Sequence, residues 1–541
     1  MTGMGFKLTP EFLLRKYFIL CLILMVLAGI ALRVWSLRSG GFFFYDEGLY
    51  LKHNLPVLEF ISAHPHMGEA DRQQAAYYYF RSALGSGKSL WFLLIDSRFL
   101  WGALADWSFS KVVSCIFGLM TIPLVFLFTR RYFGSSSLAL LASALFALLP
   151  GAVFYSRTGL QESLSVFLVL TGFYFYLQTT KLNWRVFIGG AFFALAFFAN
   201  YRLIMLPFLL AFYELWRNYL SRQGAGWRNY IWAMLVFFSG VVLGGNLLGG
   251  INTRIIAMWV FYQGQEAGGA FSWVNFFSYP FYVFRMESAL FSLAFFGNIF
   301  FLLRRQWGQA VLFALVLFQM FFFSFTEEKG ARYLAVMLPF MAISAAFFLR
   351  YLWQTFPARR VVLLSVALLM TAGMFWQSFL ISSARSAHKD AAEFLLARDP
   401  QARWMASQEM VESLYVTPQD RVKAIPPSFE RLLELYSQGY RYLVLDAQAY
   451  VSLAATRKFV PPLKDYLGFV DARITPLLVM PHMNRAVGER FVLEHSENLS
   501  DSLRFLSDSQ AGRAFSLRIY DLALVVPDML KIYQQSRSRR Q

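Results

Sequence analysis

The chain has 541 residues, of which 57% are hydrophobic, 18% aromatic and only 15% charged. Soluble domains carry about 25% charged residues, so the repeated apolar runs of bilayer length mark a polytopic membrane protein. The formal net charge of +18 does not signal nucleic acid, because many Arg and Lys residues form short clusters between apolar runs and no nucleic-acid motif accompanies them. Cys21 and Cys115 lie inside apolar runs and read as small hydrophobic residues, not as a disulfide framework.

Lys7, Arg15 and Lys16 precede the first run, 17 to 35, and place its N-terminus in the cytoplasm. The run lacks a small-residue cleavage site and reads as a retained helix. It delivers Phe42-Phe43-Phe44-Tyr45-Asp46-Glu47 to the outer face. Residues 36 to 108 form a first outer loop with one or two expected interfacial helices, rich in Tyr and Trp. Further spans are expected at 111–128, 138–155, 160–177, 186–199, 203–216, 230–248, 286–303, 309–325, 333–349 and 361–381, about eleven in all. Each inner connection carries at least two Lys or Arg residues, whereas the outer turn 200–202 is short and otherwise unmarked.

From about residue 384 polar residues become frequent and no run of bilayer length follows. Residues 390–397 have helical spacing, and 403–407, 440–446, 491–493 and 517–520 read as strands. The expected organisation is a membrane domain at 1–383 and a small extracytoplasmic α/β domain at 384–541.

Charges on the outer side are the informative set, because the positive-inside rule does not explain them. Asp46 and Glu47 form an interfacial carboxylate pair that could take a proton or hold a divalent cation; the alternative is a solvated helix end. Arg157 lies at an outer mouth, and Glu162, just inside the next span, wants a partner such as Arg202. The alternative there is a buried ion pair that only locks spans together. Lys329 and Arg332 sit where cations can bind a lipid phosphate, or where they simply snorkel. His64 and His66, near Glu69 and Asp71, are spaced too loosely for a metal motif and read as plain loop. No phosphate-binding glycine loop, nucleophile elbow or zinc motif is present.

Taken together, Tyr45-Asp46-Glu47, the segment from Ser156-Arg157 to Glu162, the turn Asn200-Tyr201-Arg202, and Glu328-Lys329-Gly330-Ala331-Arg332-Tyr333 before Pro339 resemble the GT-C glycosyltransferases. The similarity is to the branch containing the protein O-mannosyltransferases and the ArnT-like aminoarabinose transferases, and it covers residues 1 to about 350. The resemblance implies a GT-C fold and an inner-membrane enzyme with a periplasmic C-terminal domain. Such an enzyme moves a sugar from a polyprenyl-phosphate-linked donor to a hydroxyl of a glycan, lipid or protein acceptor, without nucleic acid. It maps Asp46 and Glu47 to the catalytic landmark, Glu162 to the acid of the fourth span and Arg202 to the cation of the next outer turn. Topology places Arg202, Lys329 and Arg332 to hold the donor phosphate, with Arg157 and Glu162 in support. A single displacement with Asp46 as base would invert C1. No cofactor is required; a divalent metal is compatible, but no metal ligand set is assigned. The rival readings are a flippase or transporter of a lipid-linked substrate, or an inactive anchor for the C-terminal domain. A transporter more often shows repeated halves, which are absent from this sequence.

Overall fold

The computed structural model describes residues 10–177, 182–221, 226–246, 273–325, 330–426, 428–447, 474–494 and 515–524, with isolated positions beyond these. Every expected span coincides with an apolar helix or helix pair. The first is Pro10–Val34, the second Phe109–Phe133 and the last Arg360–Ser383. By length and composition, four of the described helical stretches could cross a bilayer, or five if one bent pair counts as a single span. The other apolar helices, such as Glu162–Tyr176 and Trp184–Ala199, are shorter. The first outer loop holds four helices where one or two were expected: Tyr45–Lys52, Leu55–Ala63, Glu69–Gly85 and Ser89–Asp96. Residues 273–284, which fall between two expected spans, lie in helix Trp273–Met286.

The bent pair is Ser136–Leu148 and Pro150–Arg157, which meet at 56°. Pro150 has no N–H to continue the first helix, and it holds Leu149 extended (φ −63°, ψ 117°). The break leaves carbonyls facing into the bundle. Arg33, fully buried in the first helix, donates to two of them, Phe146 O and Ala147 O, and also to Ser156 Oγ. An arginine at this depth is tolerable because the kink supplies its acceptors. Gly29 permits the approach, since a Cβ there would stand 2.4 Å from Ala147 O.

The C-terminal part contains a five-stranded sheet in the order β2-β1-β3-β5-β4. The strands are β1 Trp404–Ala406, β2 Val422–Ala424, β3 Tyr442–Leu445, β4 Leu478–Pro481 and β5 Ser516–Asp521. β1 pairs in parallel with β2 and β3, while β5 runs antiparallel to both β3 and β4. Trp404, Tyr442 and Val444 pack on one face with helix His388–Arg398, and Met405, Leu443 and Leu445 on the other with helix Phe429–Ser437. Cover on both faces explains why these strands read as continuous apolar runs.

The expected strand at 491–493 is instead the end of helix Arg485–Glu494. A three-residue apolar run does not separate the two periods; Val487 and Phe491, one turn apart, bury the same helix face. This helix leaves the sheet and packs into the transmembrane core, where Phe491 stacks on Phe44 with ring centroids 5.3 Å apart.

The two parts also meet at helix Tyr45–Lys52. A Cβ on Gly48 would lie 2.4 Å from the backbone carbonyl of Met410, closer than real Cβ contacts. Gly48→Ala is therefore expected to destabilise this joint by about 1–3 kcal/mol, the usual cost of overpacking. Thermal unfolding in detergent and protease cleavage near residue 384 would report it; a wild-type profile would refute this close packing.

Candidate active site

Phe42, Phe43 and Phe44 are all buried and fix the entry to helix Tyr45–Lys52. Glu47 folds back over the helix start, with Oε2 accepting from Phe43 N at 2.8 Å and Phe44 N at 3.0 Å. Its Oε1 accepts from Gly159 N at 2.6 Å, and the residue is fully buried. Glu47 thus staples the loop to the segment before helix Glu162–Tyr176. The neighbouring Asp46 is the half-buried member of the pair, and its Oδ2 lies 2.8 Å from Arg332 Nη1.

Arg332 opens the 3₁₀ turn Ala331–Met337. Its backbone N donates to Glu494 Oε2 at 2.8 Å, and its Nε lies 3.8 Å from the same oxygen. Glu494 is the last residue of helix Arg485–Glu494, and its other oxygen accepts from Tyr155 OH. Burial pushes the Glu494 carboxyl up, and the Arg332 charge pulls it back down.

Two more cations converge here. Gly87 (φ +70°) turns the chain before helix Ser89–Asp96, and its carbonyl accepts from Tyr201 N at 3.0 Å. A left-handed turn of this kind suits glycine. It brings Lys88 to the turn that carries Arg202. The half-buried Lys88 ammonium bonds Tyr50 OH and lies 4.2 Å above its ring. Burial pushes Lys88 down to about 8, against the pull of Asp46. Arg202 sits 4.8 Å over the ring of Tyr333. Buried Glu162 feels Arg332 and Lys88 before Arg202, and its Oε2 makes no hydrogen bond among the described residues. Arg202, expected as its partner from the adjoining outer turn, is one of the three cations that act on it.

Asp46, Glu162, Arg202 and Arg332 are thus drawn together from four separate segments. Arg157 is not among them. Its Nη1 donates to Leu32 O, Arg33 O and Trp35 O, and its Nη2 to Ser382 O, so it caps the first helix and ties it to the last one. Lys329 lies outside the described residues. Sequence reasoning missed Lys88, whose signal was a lone Lys after Gly85-Ser86-Gly87 in the outer loop. It also missed Glu494, which stands 162 positions beyond Arg332 in the polar C-terminal part and carried no local signal.

Asp46 and Glu47 are both engaged as described, by Arg332 and by backbone N–H groups. Three metal-type donors do approach one another elsewhere: His388, Asp446 and His482, all buried, with atoms within 4.8 Å. That spacing would admit a divalent ion, but the hydrogen bonds favour another state. His482 Nδ1 accepts from Ala387 N at 3.0 Å, so the neutral ring carries its proton on Nε2 and points it at Asp446, 3.7 Å away. His388 lies between two carboxylates, with Nδ1 3.0 Å from Glu412 Oε1 and Nε2 3.6 Å from Asp446 Oδ2. These contacts make the group a buried ionic latch. Gln408 extends it by donating to both Asp446 Oδ2 and the carbonyl of Phe43.

With this geometry in hand, the relatives can be compared. The family model described as dolichyl-phosphate-mannose-protein mannosyltransferase matches residues 101–243. The apo crystal structure of the oligosaccharyltransferase from Archaeoglobus fulgidus superposes with TM-score 0.52 at 14% identity, covering 80% of this chain and 70% of that one. Apo ArnT from Cupriavidus metallidurans gives TM-score 0.52 at 14% identity, covering 80% and 94%. The fold is that of the GT-C glycosyltransferases. ArnT bound to undecaprenyl phosphate gives TM-score 0.51 at 14% identity and the same coverage. No curated protein sequence matches the chain.

The latch predicts a stability optimum. Burial alone would lower the pKa of His388, but Asp446 and Glu412 outweigh it and hold it up at about 9. Its contribution is full below about pH 6.5, the unfolded value, and is lost as pH rises through about 9. Burial pushes His482 down to about 3, with the nearby His388 charge adding to the effect. Its contribution is full above about pH 6.5 and is lost as pH falls towards about 3. Thermal unfolding against pH should therefore show a maximum near pH 6.5, and His388→Asn should flatten its alkaline limb. An unchanged alkaline limb in that variant would refute the charged latch.

Proposed function

We propose that the protein is an integral-membrane glycosyltransferase. It takes a sugar from a polyprenyl-phosphate donor and transfers it to an acceptor hydroxyl on the side of the membrane that carries the C-terminal domain. The observation that carries this reading is the gathering of Lys88, Arg202 and Arg332 around Tyr50, where Arg332 pairs with the carboxylate of Asp46. The GT-C fold supports it, as does the undecaprenyl phosphate bound by ArnT. A polyprenyl-linked phosphate presents one anionic head at the bilayer surface, and such a cation cluster matches it.

In this mechanism the donor phosphate binds among Arg332, Arg202 and Lys88. Arginine offers a planar fork to two phosphate oxygens, and lysine a point charge. While Arg332 is paired with Asp46, that carboxylate is a poor base. The incoming phosphate competes for the guanidinium and frees Asp46 to accept a proton. The acceptor oxygen then attacks C1, its proton passes to Asp46, and the bond from C1 to the phosphate oxygen breaks. The leaving phosphate keeps the electron pair, and the three cations stabilise its charge. One displacement inverts C1. Glu162 balances the cations from below, and Glu47 and Glu494 hold the reacting parts in place. Lys329 is assigned to the phosphate site on sequence alone, and Arg157 to a supporting, structural role.

Transfer from a polyprenyl-phosphate sugar in membranes tests the reading. Asp46→Asn should lower the rate by about 10²–10⁴-fold, the range for a general base. Arg332→Ala should lower it by about 10²–10³-fold, with weaker donor binding. Near-wild-type transfer by properly inserted Asp46→Asn protein would overturn the role given to Asp46.

A further inference from the structure

A cavity of about 420 Å³ lies away from the Asp46 cluster, between the end of helix Arg360–Ser383, helix Trp273–Met286 and helix Arg485–Glu494. Arg285, Arg485 and Arg490 line it beside Trp376 and Leu380. Glu489 neutralises part of this charge, bonding Arg285 at 2.8 Å and Arg485 at 2.7 Å. Arg490 is buried; its Nη1 stands 3.6 Å from Glu287 and makes no hydrogen bond among the described residues. The wall formed by helix Arg360–Ser383 exposes Leu368, Leu369, Phe375 and Trp376 along its length, as a lipid-facing helix does. The cavity therefore joins an apolar, bilayer-type surface to three guanidinium groups near the C-terminal end of that helix, which on the expected topology is its outer end. The side concerned is the one bearing the C-terminal domain, where topology does not call for positive charge.

We propose that this cavity binds the phosphate headgroup of an anionic phospholipid from the adjoining leaflet, with the acyl chains lying along Trp376 and Leu380. The site shares no side chain with the donor cluster of Lys88, Arg202 and Arg332. It does share a helix with it, because Arg485–Glu494 carries two of the rim arginines at one end and the Arg332-binding Glu494 at the other. A lipid seated on Arg485 and Arg490 would steady the element that positions Arg332.

The test measures binding, so it stands whatever reaction the protein catalyses. Protein is reconstituted in nanodiscs with equal amounts of phosphatidylglycerol and phosphatidylcholine, and the lipids retained after release are counted by native mass spectrometry. The wild type should keep phosphatidylglycerol selectively. Arg285→Gln with Arg485→Gln should reduce that retention about thirtyfold, as expected for losing two interfacial charges. Ala486→Trp keeps every charge but fills the cavity, and should reduce it similarly. Arg403→Gln, on the sheet domain, should change nothing, and excess inorganic phosphate should not displace the lipid. Equal retention of both lipids by the wild type would overturn the proposal, as would wild-type retention in both cavity variants. Displacement by inorganic phosphate would also overturn it, in favour of a soluble phosphate.

Discussion

The guanidinium of Arg332, held between Asp46 and Glu494, is the interaction on which the rest of the site depends. A cation so far withdrawn from water is stable only where carboxylates meet it, and removing both would leave an uncompensated charge. The two acids come from opposite ends of the chain. Asp46 follows the first apolar helix, and Glu494 closes a helix of the C-terminal part. The arrangement makes the C-terminal part a structural component of the candidate active site rather than an appended module.

The scaffold holds these groups in register by pairing charges with freed backbone carbonyls. The kink at Pro150 exposes acceptors that Arg33 uses, and the end of the first helix exposes acceptors that Arg157 uses. Both arginines lock the first helix against its neighbours just before the chain turns into Phe42-Phe43-Phe44. Glu47 then fastens that turn to Gly159, and Gln408 ties Phe43 to the buried latch of His388, Asp446 and His482. Asp46 is left as the one carboxylate of the pair that faces other side chains.

The apolar runs were legible because bilayer-length segments and their flanking charges are local signals. The sheet was legible where a strand is a continuous apolar run, as in Trp404–Ala406 and Tyr442–Leu445, and also at 517–520, where Leu517, Ile519 and Tyr520 flank Arg518. Segments 422–424 and 478–481 passed unnoticed, being short or only half buried. Asp46, Glu162, Arg202 and Arg332 could be singled out because charges at span ends stand out against apolar sequence. The division of labour between Asp46 and Glu47 was not legible, since adjacent carboxylates differ only in what the fold places around them. Glu494 was hidden for a related reason: a glutamate in a polar region is unremarkable until a helix carries it into the membrane core. Arg202 was the partner expected for Glu162 from its place at the adjoining outer turn, and the fold adds Arg332 and Lys88 to it.

The central claim is that three cations from distant segments form one phosphate site beside Asp46. A cryo-EM structure of the protein with bound polyprenyl phosphate tests it most directly. The account predicts the phosphate within hydrogen-bond reach of Arg332 and at least one of Lys88 and Arg202, with Arg332 drawn off Asp46. A phosphate bound away from this cluster, with the Asp46–Arg332 pair intact, would contradict it.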